Sequence, residues 1–199
     1  MHTVLGMYTS ASHWHYAFRR LVTLAEHANV PIICDLPCFT PEEIKRHFAY
    51  LETRYGVALP PSYRAFLTEC DGCQNLFRGA KLLSLKQLLD PLEGSGSAVV
   101  EDLNTPIPSF VAPDRVHWRD DELICIGLDQ GGDIVFVLDP ASVRADGEME
   151  VIAWIAGLGV RLTCFAHLLE FLGDLMDTRD LGDATPVHTA SELAQYIAA

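Results

Sequence analysis

Apolar and polar residues alternate along this chain with two different periods, and the change of period separates a helical first part from a strand-rich second part. Between residues 40 and 72 the period is helical. Thr40 is placed to cap a helix, Pro41 takes its first position, and Glu43, three residues after the cap, completes a capping box. Ile44, Phe48, Leu51 and Tyr55 then fall on one face, and Gly56 stands where a left-handed C-terminal cap is expected. Leu59-Pro60-Pro61 restarts the chain. Tyr63, Phe66, Leu67 and Cys70 form the stripe of a second, shorter helix, which Asp71-Gly72 ends with turn-tolerant residues. Glu42 and Glu43 read as charges complementing a helix N-terminus, not as a catalytic pair.

Further on, residues 123–128 and 134–138 are continuous apolar runs rich in branched side chains, the signature of central strands. The five residues between them, Asp129-Gln130-Gly131-Gly132-Asp133, have the composition of a hairpin turn and lack the ligand spacing of a calcium loop. Residues 150–155 predict a third strand. Residues 81–83 predict a short one, leading into a brief helix capped by Ser84 and Gln87. A closing helix capped by Thr163 carries Phe165, Leu168, Leu169, Leu172, Leu175 and Met176 on one face, with Glu170, Asp174 and Asp177 on the other. Before all of this, Trp14, Phe18, Leu21, Val22 and Ala25 predict a helix over residues 13–27 that covers the sheet or the first helix pair. Residues 191–198 predict a last short helix, and the proline- and glycine-rich stretch 90–117 a long loop of the functional or mobile kind.

The residues Tyr55, Gly56, Leu59, Pro60, Tyr63, Phe66, Leu67 and Gly72 make a signature that resembles the Smi1/Knr4 superfamily, also called SUKH. In the same order follow Leu82 to Leu85 (Leu-Leu-Ser-Leu), the strand-turn-strand of 124–138, Val151 to Trp154 (Val-Ile-x-Trp) and the Phe-x-x-x-Leu core of 165–172. Asp71-Gly72 stands where that superfamily commonly has Asn-Gly. The resemblance implies an α+β fold, a curved and mostly antiparallel sheet with helices packed on it. It divides the chain into an N-terminal helical extension (1–39), an SMI1/KNR4-like domain (40–177) and a C-terminal extension with a short helix (178–199). It further implies an immunity protein that binds and neutralises a bacterial polymorphic or contact-dependent toxin, many such toxins being basic nucleases, with no catalytic residues, no cofactor and no metal. The alternative it leaves is a scaffold or regulatory domain binding a cellular protein.

Composition narrows the partners. The chain has 199 residues, enough to bury one sizeable core without disulfides or a structural metal. Its apolar residues, 49% of the total, are spread out and never form a membrane-length run, and the N-terminus lacks the basic start and clean apolar block of a secretory signal, so a cytoplasmic protein is expected. Fourteen basic residues, three of them lysines, against 27 acidic ones give a net charge of −13. Nucleic acid and anionic membranes are repelled, while a basic protein partner is attracted. Acidity also serves plain solubility. No nucleophile elbow, phosphate loop, zinc-protease helix or dinucleotide fingerprint occurs. Cys34, Cys38, Cys70 and Cys73 have spacings open to zinc, but Cys70, Cys125 and Cys164 sit at core-like positions, and the preferred reading makes cysteine a small buried hydrophobe in the reduced state. His13 and His15 likewise read as surface histidines rather than ligands. The residues whose chemistry best suits partner binding are Trp118, Asp120, Asp121 and Glu122 before the first central strand, with Asp129 and Asp133 in the hairpin turn. Trp118 suits either an interface anchor or a cap on the core.

Overall fold

In the computed structural model, residues 10–89, 123–155 and 158–177 are described. The expected loop 90–117 and the expected helix 191–198 lie outside them. Five helices are present among the described residues: α1 (Ser10–His27), α2 (Pro41–Tyr55), α3 (Pro61–Glu69), α4 (Leu85–Leu89) and α5 (Phe165–Asp177). The strands are β1 (Ile33–Cys34), β2 (Cys73–Phe77), β3 (Ala80–Leu82), β4 (Ile124–Leu128), β5 (Ile134–Leu138), β6 (Val151–Ile155) and β7 (Leu158–Leu162). They form one sheet in the order of the sequence, every neighbour antiparallel, which gives the α+β architecture expected.

The two apolar runs are the fourth and fifth strands of seven, and their composition follows from that position. All five residues of β5 are buried. Ile134, Phe136 and Leu138 face the main core together with Ile126 of β4 and Ala153 of β6, while Val135, Val137 and Ile152 form a small second cluster on the opposite face. A strand buried on both faces has no polar face to alternate with. Strands β1, β2 and β7 were not anticipated. Asn75, inside β2, has φ +56°, and the register of β2 on β3 shifts there, so the alternation that marks a strand is broken. In β7, Gly159 and Arg161 interrupt an apolar run.

The helix pair forms as its sequence dictates. Thr40 accepts the Glu43 amide and the Glu43 carboxylate accepts the Thr40 amide, and Gly56 closes α2 at φ +70°. α3 starts differently. Its cap residue is Pro60, which has no side chain able to accept a hydrogen bond, and the missing acceptor comes from a distant turn. Glu148, fully buried, accepts the Ser62 amide at 2.9 Å and the Ser62 hydroxyl at 2.7 Å. The carboxylate thereby serves an unpaired amide of the first turn and lies at the positive end of the helix. Its own amide is held by Asp146, 3.1 Å away.

α1 packs mainly on α5 and next on α3, so the second helix of the pair is one of its covers as expected, and the closing helix is its chief neighbour. Trp14 and Phe18 each meet Phe66 of α3 edge-on at 5.6 Å between centroids, and Phe165 of α5 lies 5.3 Å from the same ring. On the outside of the seam Arg20 reaches Asp174 at 2.5 Å and Asp177 at 2.8 Å. The core is continuous from α1 through the sheet to α5. The expected stripe of α5 is buried as read, Met176 partly. Its cap is not: the helix begins after Cys164, whose carbonyl accepts the Leu168 amide, and the Thr163 hydroxyl instead meets His167 Nδ1.

Phe66 touches α1 and α5 from the middle of α3, so Phe66→Ala is expected to cost about 3 to 5 kcal/mol in urea denaturation, the range for emptying a fully packed aromatic site. A loss under about 1 kcal/mol would contradict the packing described. Glu148→Ala leaves the Ser62 amide and hydroxyl unpaired in the interior and is expected to cost about 1 to 3 kcal/mol in the same titration. Glu148→Gln keeps the volume and one acceptor and should lose less; equal losses would mean that volume contributes little and that both carboxylate oxygens are needed.

Candidate functional site

Of the six residues singled out for partner binding, Trp118, Asp120, Asp121 and Glu122 lie outside the described residues. Asp129 and Asp133 are the two ends of the β4–β5 turn. Asp129 accepts the Ile134 amide through Oδ1 at 3.0 Å, and its own amide donates to the Ile134 carbonyl at 3.0 Å, so one of its oxygens is committed to closing the hairpin. Its other oxygen is turned over the middle of the turn. A methyl group placed on Gly131 would sit 3.3 Å from Asp129 Oδ2 and 3.5 Å from Asp133 Oδ2. The two carboxylates therefore converge on one bare glycine at the tip, Asp133 exposed and Asp129 half-buried. Two acids aimed at one point give a focused negative potential that suits a guanidinium or ammonium group.

Three other acids, which the sequence did not single out as buried, are spent on structure. Besides Glu148 these are Asp71 and Asp139. Asp71 accepts the first amide of α4, at Leu85, over 2.6 Å, and Cys38 Sγ contacts its second oxygen at 3.6 Å. Gly72 beside it has φ +85°, and a side chain there would come within 2.8 Å of the Ser84 nitrogen, so the Asp-Gly pair is what lets α4 start against the end of α3. Asp139 caps the short 3-10 turn Pro140–Ser142 through the Ala141 amide and pairs with Arg161 at 3.0 Å; Arg161 also pairs with Glu150. Serine and carboxylate do meet at Ser62 and Glu148, but both are sealed from solvent, so the pair holds the start of α3 and meets no substrate.

His13 and His15 are surface residues, as read, yet each is tied to another helix. His13 Nε2 lies 3.0 Å from Glu170 of α5 and His15 Nε2 lies 2.6 Å from Glu69 at the end of α3. Among the described residues no group of three or more His, Cys, Asp or Glu side chains is arranged to hold a metal ion. All six cysteines are free thiols. Cys73 and Cys164 are buried as small hydrophobes; Cys34, Cys70 and Cys125 are half-buried; Cys38 is exposed, which corrects the core reading for that residue. Burial pushes the Cys73 thiol up to about 12 and the Cys125 thiol up to about 11. No helix among the described residues is long and apolar enough to cross a membrane.

None of the curated proteins compared matches the chain. The model of the SMI1 / KNR4 family (SUKH-1) matches residues 39–174. That span runs from the cap of α2 to the last turns of α5 and takes in the Pro60-Pro61 turn, the Asp129–Asp133 hairpin and all seven strands but β1. It covers well over half of the chain, and the α+β architecture agrees with it, so this protein belongs to the SMI1 / KNR4 family (SUKH-1).

Proposed function

We propose that this protein is a cytoplasmic immunity protein that neutralises a bacterial polymorphic or contact-dependent toxin by binding it one to one, without catalysis. Membership of a family of immunity-type proteins carries the reading. The net charge of −13 supports a basic partner such as a nuclease toxin, because a negative surface imitates the anionic substrate and accelerates encounter. Steering falls to Asp120, Asp121 and Glu122 together with Asp129 and Asp133, whose carboxylates converge over Gly131. Trp118 serves as the apolar anchor.

The direct test is co-purification with the product of the neighbouring gene. A stable complex with a toxin whose activity disappears on binding is the expected result. A stable complex with a housekeeping protein instead would favour a scaffold or regulatory role. Against the cognate toxin, reversing Asp120, Asp121 and Glu122 to lysine is expected to slow association by roughly tenfold or more and to flatten its salt dependence, since exposed charges act over a screening length of about 8 Å at physiological ionic strength. Trp118→Ala is expected to act on the other rate, speeding dissociation by about thirtyfold while association changes little, as loss of a buried aromatic anchor does. Stopped-flow and surface-binding kinetics separate the two. Unchanged association after the triple reversal would remove this acidic segment from the steering surface.

A further inference from the structure

Residues 30–36 turn apolar side chains into solvent at the edge of the sheet. Val30, Ile33 and Leu36 are 49%, 54% and 85% exposed, three of the six exposed large apolar side chains among the described residues. One such residue on a surface is ordinary; three within one short stretch mark a contact surface. The backbone there is open as well. β1 is the end strand of the sheet, and among the described residues no strand lies beyond it. The Asp35 amide donates to the Gly72 carbonyl at 3.4 Å and the Asp35 carbonyl accepts the Asp71 amide at 3.0 Å, so Asp35 turns both groups inward. Backbone groups of successive strand residues point to opposite sides, which sends the amide and carbonyl of Cys34 outward. We propose that this edge docks an extended segment of a basic partner protein, which joins the sheet as a strand beside β1. The proposal rests on the reading of the partner as a basic protein and says which kind of segment of that partner is held.

The two faces of β1 set the chemistry of the incoming strand. Ile32 and Cys34 are half-buried against the core, while Ile33 and Asp35 are exposed on the other face. A strand laid beside β1 therefore meets an apolar margin on one side and a branched side chain next to a carboxylate on the other. Branched apolar residues suit the first. Lysine or arginine suits the second, because the stem covers Ile33 while the charge reaches Asp35. The segment that fits thus alternates apolar and basic residues.

Charge selects the same occupant. Between Arg20 and Lys45 the chain has no lysine or arginine, and Glu26, Asp35 and Glu42 in that stretch are exposed. A second copy of this chain would bring the same acids and a net charge of −13 to the same edge, and it is repelled. The length of the site is limited too. Pro31 and Pro37 have no amide to donate, so the open edge runs over residues 32–36, which fits one short segment and blocks growth into an endless sheet.

The test uses the full chain and a labelled, end-capped peptide, Lys-Val-Arg-Val-Lys-Val-Arg, read by fluorescence anisotropy and amide exchange. Its control is Lys-Lys-Arg-Arg-Val-Val-Val, with the same composition and charge but no alternation. The alternating peptide is expected to bind about tenfold or more tighter than the control and to slow exchange of the Cys34 amide by about tenfold. Ile33→Lys and Asp35→Lys, both at exposed positions, are expected to keep the urea midpoint and each to weaken the alternating peptide by about tenfold. Val143→Lys, the same kind of change at another exposed apolar residue, should leave binding unaltered. Equal binding of the two peptides would overturn the proposal, as would binding that neither Ile33→Lys nor Asp35→Lys weakens, or a dimer of this chain formed through β1. The two readings fail separately. A toxin that co-purifies while the peptide leaves Cys34 unprotected removes this site alone, whereas a peptide held at β1 with no toxin co-purifying keeps the site and removes the immunity reading.

Discussion

A carboxylate without access to water stands at the centre of this fold. Glu148 is carried by the turn between β5 and β6, and Ser62, its partner across the core, opens α3. Burying a charged group costs several kcal/mol unless its oxygens are met, and here both oxygens are met by donors at the positive end of a helix. The turn gives Glu148 its place through the Asp146 contact and through Gly147, whose backbone runs against the Pro61 ring. The position of α3 over the sheet then fixes much else. Phe66 presents one ring to α1 and α5, Tyr63 donates its hydroxyl to the Leu83 carbonyl, and Asp71 just after the helix takes the first amide of α4.

What could be read from the sequence is what depends on near neighbours in the chain. The capping box of α2, its glycine stop, the Ser84–Gln87 cap of α4 and the stripe of α5 are all settled within about four residues, and each forms as expected. What escaped depends on groups far apart. Glu148 carries no local mark of being a cap, because the helix it caps lies 86 residues away. Arg161 looks wrong for a strand until β5 and β6 bring Asp139 and Glu150 to it. Of the candidate surface, the hairpin acids were visible as turn residues, but only the three-dimensional turn aims both at Gly131. The pairing of Cys34 with Cys73 likewise needs β1, a strand of two residues that no periodicity reveals.

Among the described residues, the acids inside the fold and those at its surface have different uses. Those inside, Asp71, Asp139 and Glu148, each satisfy backbone amides that would otherwise be stranded, and they contribute nothing to the field outside beyond their charge. Those at the hairpin tip or paired along the α1–α5 seam remain accessible to water, where salt screens them. A partner that reads charge meets the second set and not the first.

The seam between α1 and α5 joins the first described helix to the last, and that arrangement bears on the order in which the chain can fold. The strands from β4 to β7 pair with neighbours in sequence, β4 with β5 and β6 with β7 over short connections and β5 with β6 over residues 139–150, and such local closures are fast. α1 has no such option. Its chief neighbour is synthesised about 140 residues later, so while the chain is being made, Trp14, Phe18 and Leu21 remain without their final cover until α5 has emerged. Until α5 has emerged the apolar face of α1 therefore stays open to proteases and to mispairing, and that exposure ends when the two helices meet.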